Sequence, residues 1–86
     1  MNRIIAIAPT KVHLKNYCKQ QKLPEARLIF ADRVEILRGQ HRGFAFVFIQ
    51  RPEDILEWEK MEAELRAKDA TRLSLNINDW PLDMFA

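Results

Sequence analysis

The sequence predicts one α+β domain in which a four-stranded sheet carries two helices on one face, in the order strand, helix, strand, strand, helix, strand. Short apolar, β-branched runs alternate with longer stretches whose apolar residues recur at helical spacing. GFAFVFIQ places phenylalanines at alternate positions, which puts their rings on one face of a strand. TRLSLNI alternates polar and apolar residues, a pattern typical of a strand with one wet face.

Length and composition predict a single globular unit. The chain has 86 residues, 48% of them hydrophobic and 30% charged. No apolar run approaches the ~20 residues of a membrane span, and the start of the chain lacks the layout of a signal peptide. The one cysteine, Cys18, excludes an internal disulfide and suits a reducing compartment, so we expect a cytoplasmic protein. Residues 1–78 are predicted to form the domain, with an apolar tail, residues 79–86, packed on it.

The first half contains two strands and a helix. Residues 3–8, RIIAIA, read as a strand that ends at Pro9. Thr10 is a suitable N-cap for a helix over residues 11–22, KVHLKNYCKQQK. The apolar stripe of this helix is Leu14, Tyr17 and Cys18. Residues 26–31, ARLIFA, are the second strand.

The segment DRVEILRG, residues 32–39, is open to two interpretations. Asp32 could cap one helical turn that Gly39 ends, or VEIL could continue a bent strand. The choice matters because a helix here would change the way in which the flanking strands are connected.

The second half contains the strongest strand, residues 43–50, which ends at Arg51 and Pro52. Pro52 is predicted to open a helix, since proline suits the first helical position and acids suit the helix amino end. The apolar side of this helix is Ile55, Trp58, Met61 and Leu65. Residues 71–77 are the last strand.

Charge is distributed unevenly. Residues 1–43 carry nine Lys/Arg against three Asp/Glu, whereas residues 44–86 carry five against nine. A basic half of this kind can meet phosphates.

Signatures of catalysis and of metal binding are missing from the sequence. The segment after the first strand, APTK, lacks the glycines with which a backbone wraps a phosphate. His13 and His41 lie far apart and have no partners at metal-ligand spacing. We therefore expect no enzyme, no cofactor and no metal.

RGFAFVFI, residues 42–49, resembles the octapeptide of the RNA-recognition motif family, and the predicted order of elements resembles the layout of that family. The resemblance implies a ferredoxin-like βαββαβ fold that binds single-stranded nucleic acid, more often RNA, without catalysis. Bases would stack on Phe44 and Phe46, and Arg42 would contact phosphate. Arg3, Arg72 and Asn76 would line the same face. The stacking aromatic and Asn-Leu-Pro of the family's first strand are absent from RIIAIAPT.

The alternative is a small, mostly parallel, three-layer α/β domain in which DRVEILRG is a helix and FAFVFI is a buried middle strand. Some small phage-encoded proteins resemble trimmed nucleotide-binding domains of this kind. The implied function is a protein-interaction or inhibitor module of phage or mobile-element type that does not bind nucleic acid. The apolar tail would supply its partner contacts, through Trp80, Leu82, Met84 and Phe85.

Overall fold

A computed structural model describes residues 3–80 of the protein. The strands are β1 (Ile4–Ile7), β2 (Leu28–Ala31), β3 (Ala45–Phe48) and β4 (Thr71–Arg72). The helices are α1 (Lys11–Gln21), α2 (Val34–Arg38) and α3 (Trp58–Ala67). Single turns of 3-10 helix cover Glu25–Arg27, Pro52–Asp54 and Ile77–Asp79.

The four strands form one sheet in the order β2-β1-β3-β4, and every neighbouring pair is parallel. Ile5 lies between Ile29 on one side and Phe46 on the other. The predicted ferredoxin-like α+β sandwich is therefore wrong, because that fold has an antiparallel sheet. The three-layer α/β alternative fits the parallel strands.

The segment 32–39 accounts for this difference, because it forms α2. Two residues of α2, Val34 and Leu37, are buried in the core. At the end of the helix, the backbone N–H of Gly39 donates to the carbonyl of Glu35 at 3.2 Å. The amino end is held by Glu57, whose carboxylate accepts from the backbone N–H of Val34 at 2.9 Å. With a helix in the connection, β2 and β3 are joined by a crossover, which produces parallel strands.

Both faces of the sheet are covered by apolar side chains. Alternation along β1 divides the core, since Ile4 and Ala6 join one cluster while Ile5 and Ile7 join the other. α1 packs on the first face through Leu14, Tyr17 and Cys18. α2 and α3 pack on the second face through Val34, Leu37, Met61 and Leu65. A sheet covered on both faces explains why its strands are apolar throughout.

Two elements are shorter than predicted. The helix expected from Pro52 begins only at Trp58, after a 3-10 turn and the exposed Leu56. β4 has two residues, although the backbone N–H of Leu73 still donates to the carbonyl of Phe46 at 2.8 Å. Beyond β4 the chain folds back onto the α1 face of the sheet.

Trp80, a predicted partner contact, packs in that part of the core. Its exposed fraction is 4%, and its indole Nε1 donates to the carbonyl of Ser74 at 2.6 Å. The other residues predicted to contact a partner lie outside the described residues; they are Leu82, Met84 and Phe85.

Candidate interaction surfaces

The phenylalanines of β3 lie in the core. The exposed fractions of Phe44 and Phe46 are 4% and 5%, and both pack in the cluster that contains α2 and α3. Phe48 is half-buried, with its ring centroid 5.4 Å from that of Trp58. The expected stacking platform is therefore closed in this structure, because α2 and α3 occupy the face that bases would need.

The predicted polar site residues are dispersed. Arg42 forms an ion pair with Asp69 beside the entrance of β3, and Arg3 precedes β1 at the same edge of the sheet. Arg72 lies over the ring of Phe48, with its guanidinium carbon 4.7 Å from the centroid. Asn76 follows β4 at the opposite edge, where its side chain accepts from the backbone N–H of Asn78 at 3.0 Å. The structure does not bring these four residues together on one open face.

The carboxyl edge between β1 and β3 is where sheets with this strand order bind ligands, because the order of connections reverses there. The loop after β1 contains no glycine, and Thr10 is hydrogen-bonded to His13, with 3.0 Å between Oγ1 and Nδ1. After β3, Arg51 is ion-paired with Glu53 at 3.2 Å. These side chains are engaged with their neighbours, and the backbone forms no glycine-rich cradle for a phosphate.

Candidates for a metal site or a reactive thiol are also lacking within residues 3–80. No group of three or more His, Cys, Asp or Glu side chains there could hold a metal ion. Cys18 is buried on α1, and burial, with a smaller effect from Glu25, raises the pKa of its thiol. A raised pKa disfavours the nucleophilic thiolate, so Cys18 has the character of a core residue.

A leucine with a fully exposed side chain lies at the carboxyl end of the sheet, between β3 and α3. Leu56 has an exposed fraction of 100% and stands between two grooves, one of about 610 Å³ and one of about 340 Å³. We call the residues that line these grooves the Leu56 surface; they are Asp32, Arg33, Glu35, Glu53 and residues 55–60. This surface carries five carboxylates and two basic side chains.

The neighbours of Leu56 hold it outward. Ile55 is buried in the core, and its backbone N–H donates to the carbonyl of Pro52 at 2.9 Å. Glu57 is tied to the amino end of α2 through its bond to Val34. Leu56 therefore projects from a loop that is anchored on both sides, and its exposure follows from that backbone geometry.

Sequence reasoning missed Leu56 because the helix predicted to begin at Pro52 has an apolar stripe, Ile55, Trp58, Met61 and Leu65, that does not include it. The available signal was an apolar residue next to that stripe with carboxylates on both sides, in EDILEWE. On a helix the neighbours of Leu56 one turn away would be Glu53, Glu59 and Lys60, which predicts an exposed side chain.

Comparison of the chain with family models, curated proteins and solved structures finds no match. Across residues 3–80, none of the helices has both the length and the apolar character needed to cross a membrane. The function is therefore inferred from the surfaces of the molecule.

Proposed function

We propose that the protein is a non-catalytic protein-interaction module that docks a partner on the Leu56 surface. The observation that carries the proposal is the complete exposure of Leu56 on an anchored loop. Full burial of a leucine side chain stabilises a complex by about 1.5–3 kcal/mol, so a partner that covers Leu56 gains a substantial part of its affinity from one residue.

The carboxylates around Leu56 have a structural role as well. Glu57 and Glu59 lie at the amino end of α3, and Glu35 lies in the first turn of α2, where negative charge is favourable. Helix dipoles do not account for an exposed leucine at the centre of these charges. Leu56 is thus the feature that distinguishes the Leu56 surface from an ordinary solvated helix end.

The charge of the surface indicates the chemistry of the partner. Among its lining residues, five carboxylates outnumber Arg33 and Lys60. Asp32 is paired with Arg33 at 3.1 Å and Glu53 with Arg51 at 3.2 Å, whereas the other three, Glu35, Glu57 and Glu59, form no ion pair within residues 3–80. The complementary partner is a protein segment in which Lys or Arg flanks an apolar residue. Such charges would speed association at low salt and exclude acidic segments.

The proposal can be tested by selecting peptides from a random displayed library with the whole protein as bait. We expect the recovered sequences to combine basic residues with an apolar one. A labelled recovered peptide, followed by fluorescence anisotropy, should bind Leu56→Asp at least about tenfold more weakly, since a loss of 1.4 kcal/mol corresponds to that factor.

Leu75→Asp is the matched control, because Leu75 is also an exposed leucine and lies after β4. It should bind the peptide as the unmodified protein does. Recovery of peptides without basic residues, or equal weakening by both substitutions, would contradict docking at the Leu56 surface.

A further inference from the structure

A row of lysines runs along the outer side of α1. Lys11, Lys15 and Lys19 are four residues apart, and Lys22 directly follows the helix in the left-handed conformation, at φ 55°. All four are exposed. We call them the lysine face. Residues four apart occupy one side of a helix and rise about 6 Å per step, so the first three charges form a regular line.

A carboxylate close to the lysine face is that of Glu25, which lines the same groove as Lys15, Lys19 and Lys22. Within the described part of the chain, none of its four lysines forms an ion pair. Residues 3–24 contain five basic residues and no acidic one. By contrast, ion pairs engage five basic residues elsewhere, namely Arg33, Arg42, Arg51, Arg66 and Lys68.

We infer that the lysine face binds the phosphate backbone of nucleic acid without reading bases. Regularly spaced point charges match a ligand with repeated negative charges better than they match one small anion. With Phe44 and Phe46 in the core, this contact would rest on phosphates alone, and such contacts carry no base sequence information.

The composition of α1 favours nucleic acid over an anionic membrane surface. Its apolar stripe of Leu14, Tyr17 and Cys18 is buried against the sheet, and Val12 is the large apolar side chain that α1 exposes. Helices that lie in a membrane interface present a broad apolar face to the lipid. α1 has no such face to offer, because its apolar stripe packs against the sheet.

This inference is independent of the proposed protein docking. α1 packs on one face of the sheet, whereas α2 and α3, which carry the Leu56 surface, pack on the other. A loss of one activity should therefore leave the other intact.

The test is a titration of a labelled, mixed-sequence single-stranded RNA with the whole protein, followed by anisotropy. Four phosphate contacts predict a log–log salt slope of about −3, so affinity should fall about 50-fold between about 50 and about 200 mM salt. Lys15→Gln combined with Lys19→Gln should weaken binding and reduce the slope to about half, because two contacts remain.

The control combines Arg38→Gln with Lys60→Gln, two exposed positions on α2 and α3. This pair removes the same net charge away from α1 and should bind RNA as the unmodified protein does. Vesicles containing anionic lipid form a separate arm of the experiment. Absence of saturable RNA binding at low salt, equal weakening by both pairs, or binding to vesicles but not to RNA would overturn the inference.

Discussion

Tyr17 connects α1 with the segment that follows β4. Its ring is buried in the α1 face of the core, and its hydroxyl donates to the carbonyl of Leu75 at 2.7 Å. Burial, with a smaller contribution from Cys18, raises the pKa of Tyr17 from 10 to about 12. Tyr17 thus stabilises this part of the fold both by packing and by a hydrogen bond, and its burial alters its protonation.

The shifted pKa of Tyr17 predicts a loss of stability in alkali. Between pH 10 and about 12 the unfolded chain has released the phenolic proton while the folded chain retains it. Unfolding then releases a proton, so the free energy of unfolding falls as pH rises through this window and is unaffected by this group below it. Because Tyr17 is the one tyrosine in the chain, the absorbance of its phenolate should titrate near pH 12.

Tyr17→Phe is the companion variant. It should lower the free energy of unfolding by about 1 kcal/mol at neutral pH, because the carbonyl of Leu75 loses its donor. It should also weaken the decrease of the free energy of unfolding with rising pH in alkali, measured by urea denaturation. The thiol of Cys18, whose pKa is also raised by burial, is one of the groups that contribute to the remaining pH dependence. A phenolate midpoint near pH 10 in the folded protein would contradict the buried position of Tyr17.

Among the helices and strands, α2 determines how β2 is connected to β3 and helps to cover the phenylalanines of β3. It has five residues, too few for stability by propensity alone, so tertiary contacts must hold it. Glu57 binds its amino end, and Lys68 binds its carboxyl end. The Lys68 ammonium donates to the carbonyls of Leu37, Arg38 and Gln40 at 2.9, 2.5 and 2.5 Å.

Lys68→Met should therefore destabilise the protein through α2. Methionine keeps the apolar stem but removes every donor, leaving three carbonyls without this partner. We expect a loss of about 1–3 kcal/mol in the free energy of unfolding, measured by urea denaturation. Lys60→Met, at an exposed position of α3, is the control and should change stability by no more than about 0.5 kcal/mol. Equal effects of the two substitutions would argue against the capping role.

At the scale of the whole molecule, the sheet separates two surfaces of different charge. The four exposed lysines lie with α1 on one face, while the acidic Leu56 surface belongs to α2, α3 and the loops before them. The two proposed binding activities follow from this separation.

The two-sided core predicts that the phenylalanines of β3 determine stability. Phe46→Ala should cost about 3–5 kcal/mol in the free energy of unfolding, because it leaves a cavity beneath α2 and α3. If that variant does not fold, the smaller change Phe46→Leu provides the measurement. Leu56→Ala, at a fully exposed position, should change stability by no more than about 0.5 kcal/mol. A Phe46→Ala protein as stable as the unmodified one would indicate an open aromatic face.

Several elements could be predicted from the sequence because their signals are local. Ile4–Ile7, Lys11–Gln21 and Ala45–Phe48 lie within the predicted segments, since β-branched runs, helical spacing and proline act over a few residues. The side-chain alternation in β3 was also predictable, with Phe44 and Phe46 on one face and Val47 and Ile49 on the other. The spacing of Lys11, Lys15 and Lys19 on α1 can likewise be predicted from the sequence, because residues four apart share one side of a helix.

Tertiary structure decided what covers each face. Alternation places the phenylalanines on one side of β3 but does not state whether solvent, nucleic acid or a helix lies against them. That depends on α2, whose ends are held by Glu57 and Lys68, residues 23 and 31 positions from Val34 and Leu37. Because these contacts are distant in sequence, no local pattern reveals them. With α2 in place, β2 and β3 run parallel and the phenylalanines are covered, while the bond from Val34 to Glu57 anchors the loop that carries Leu56.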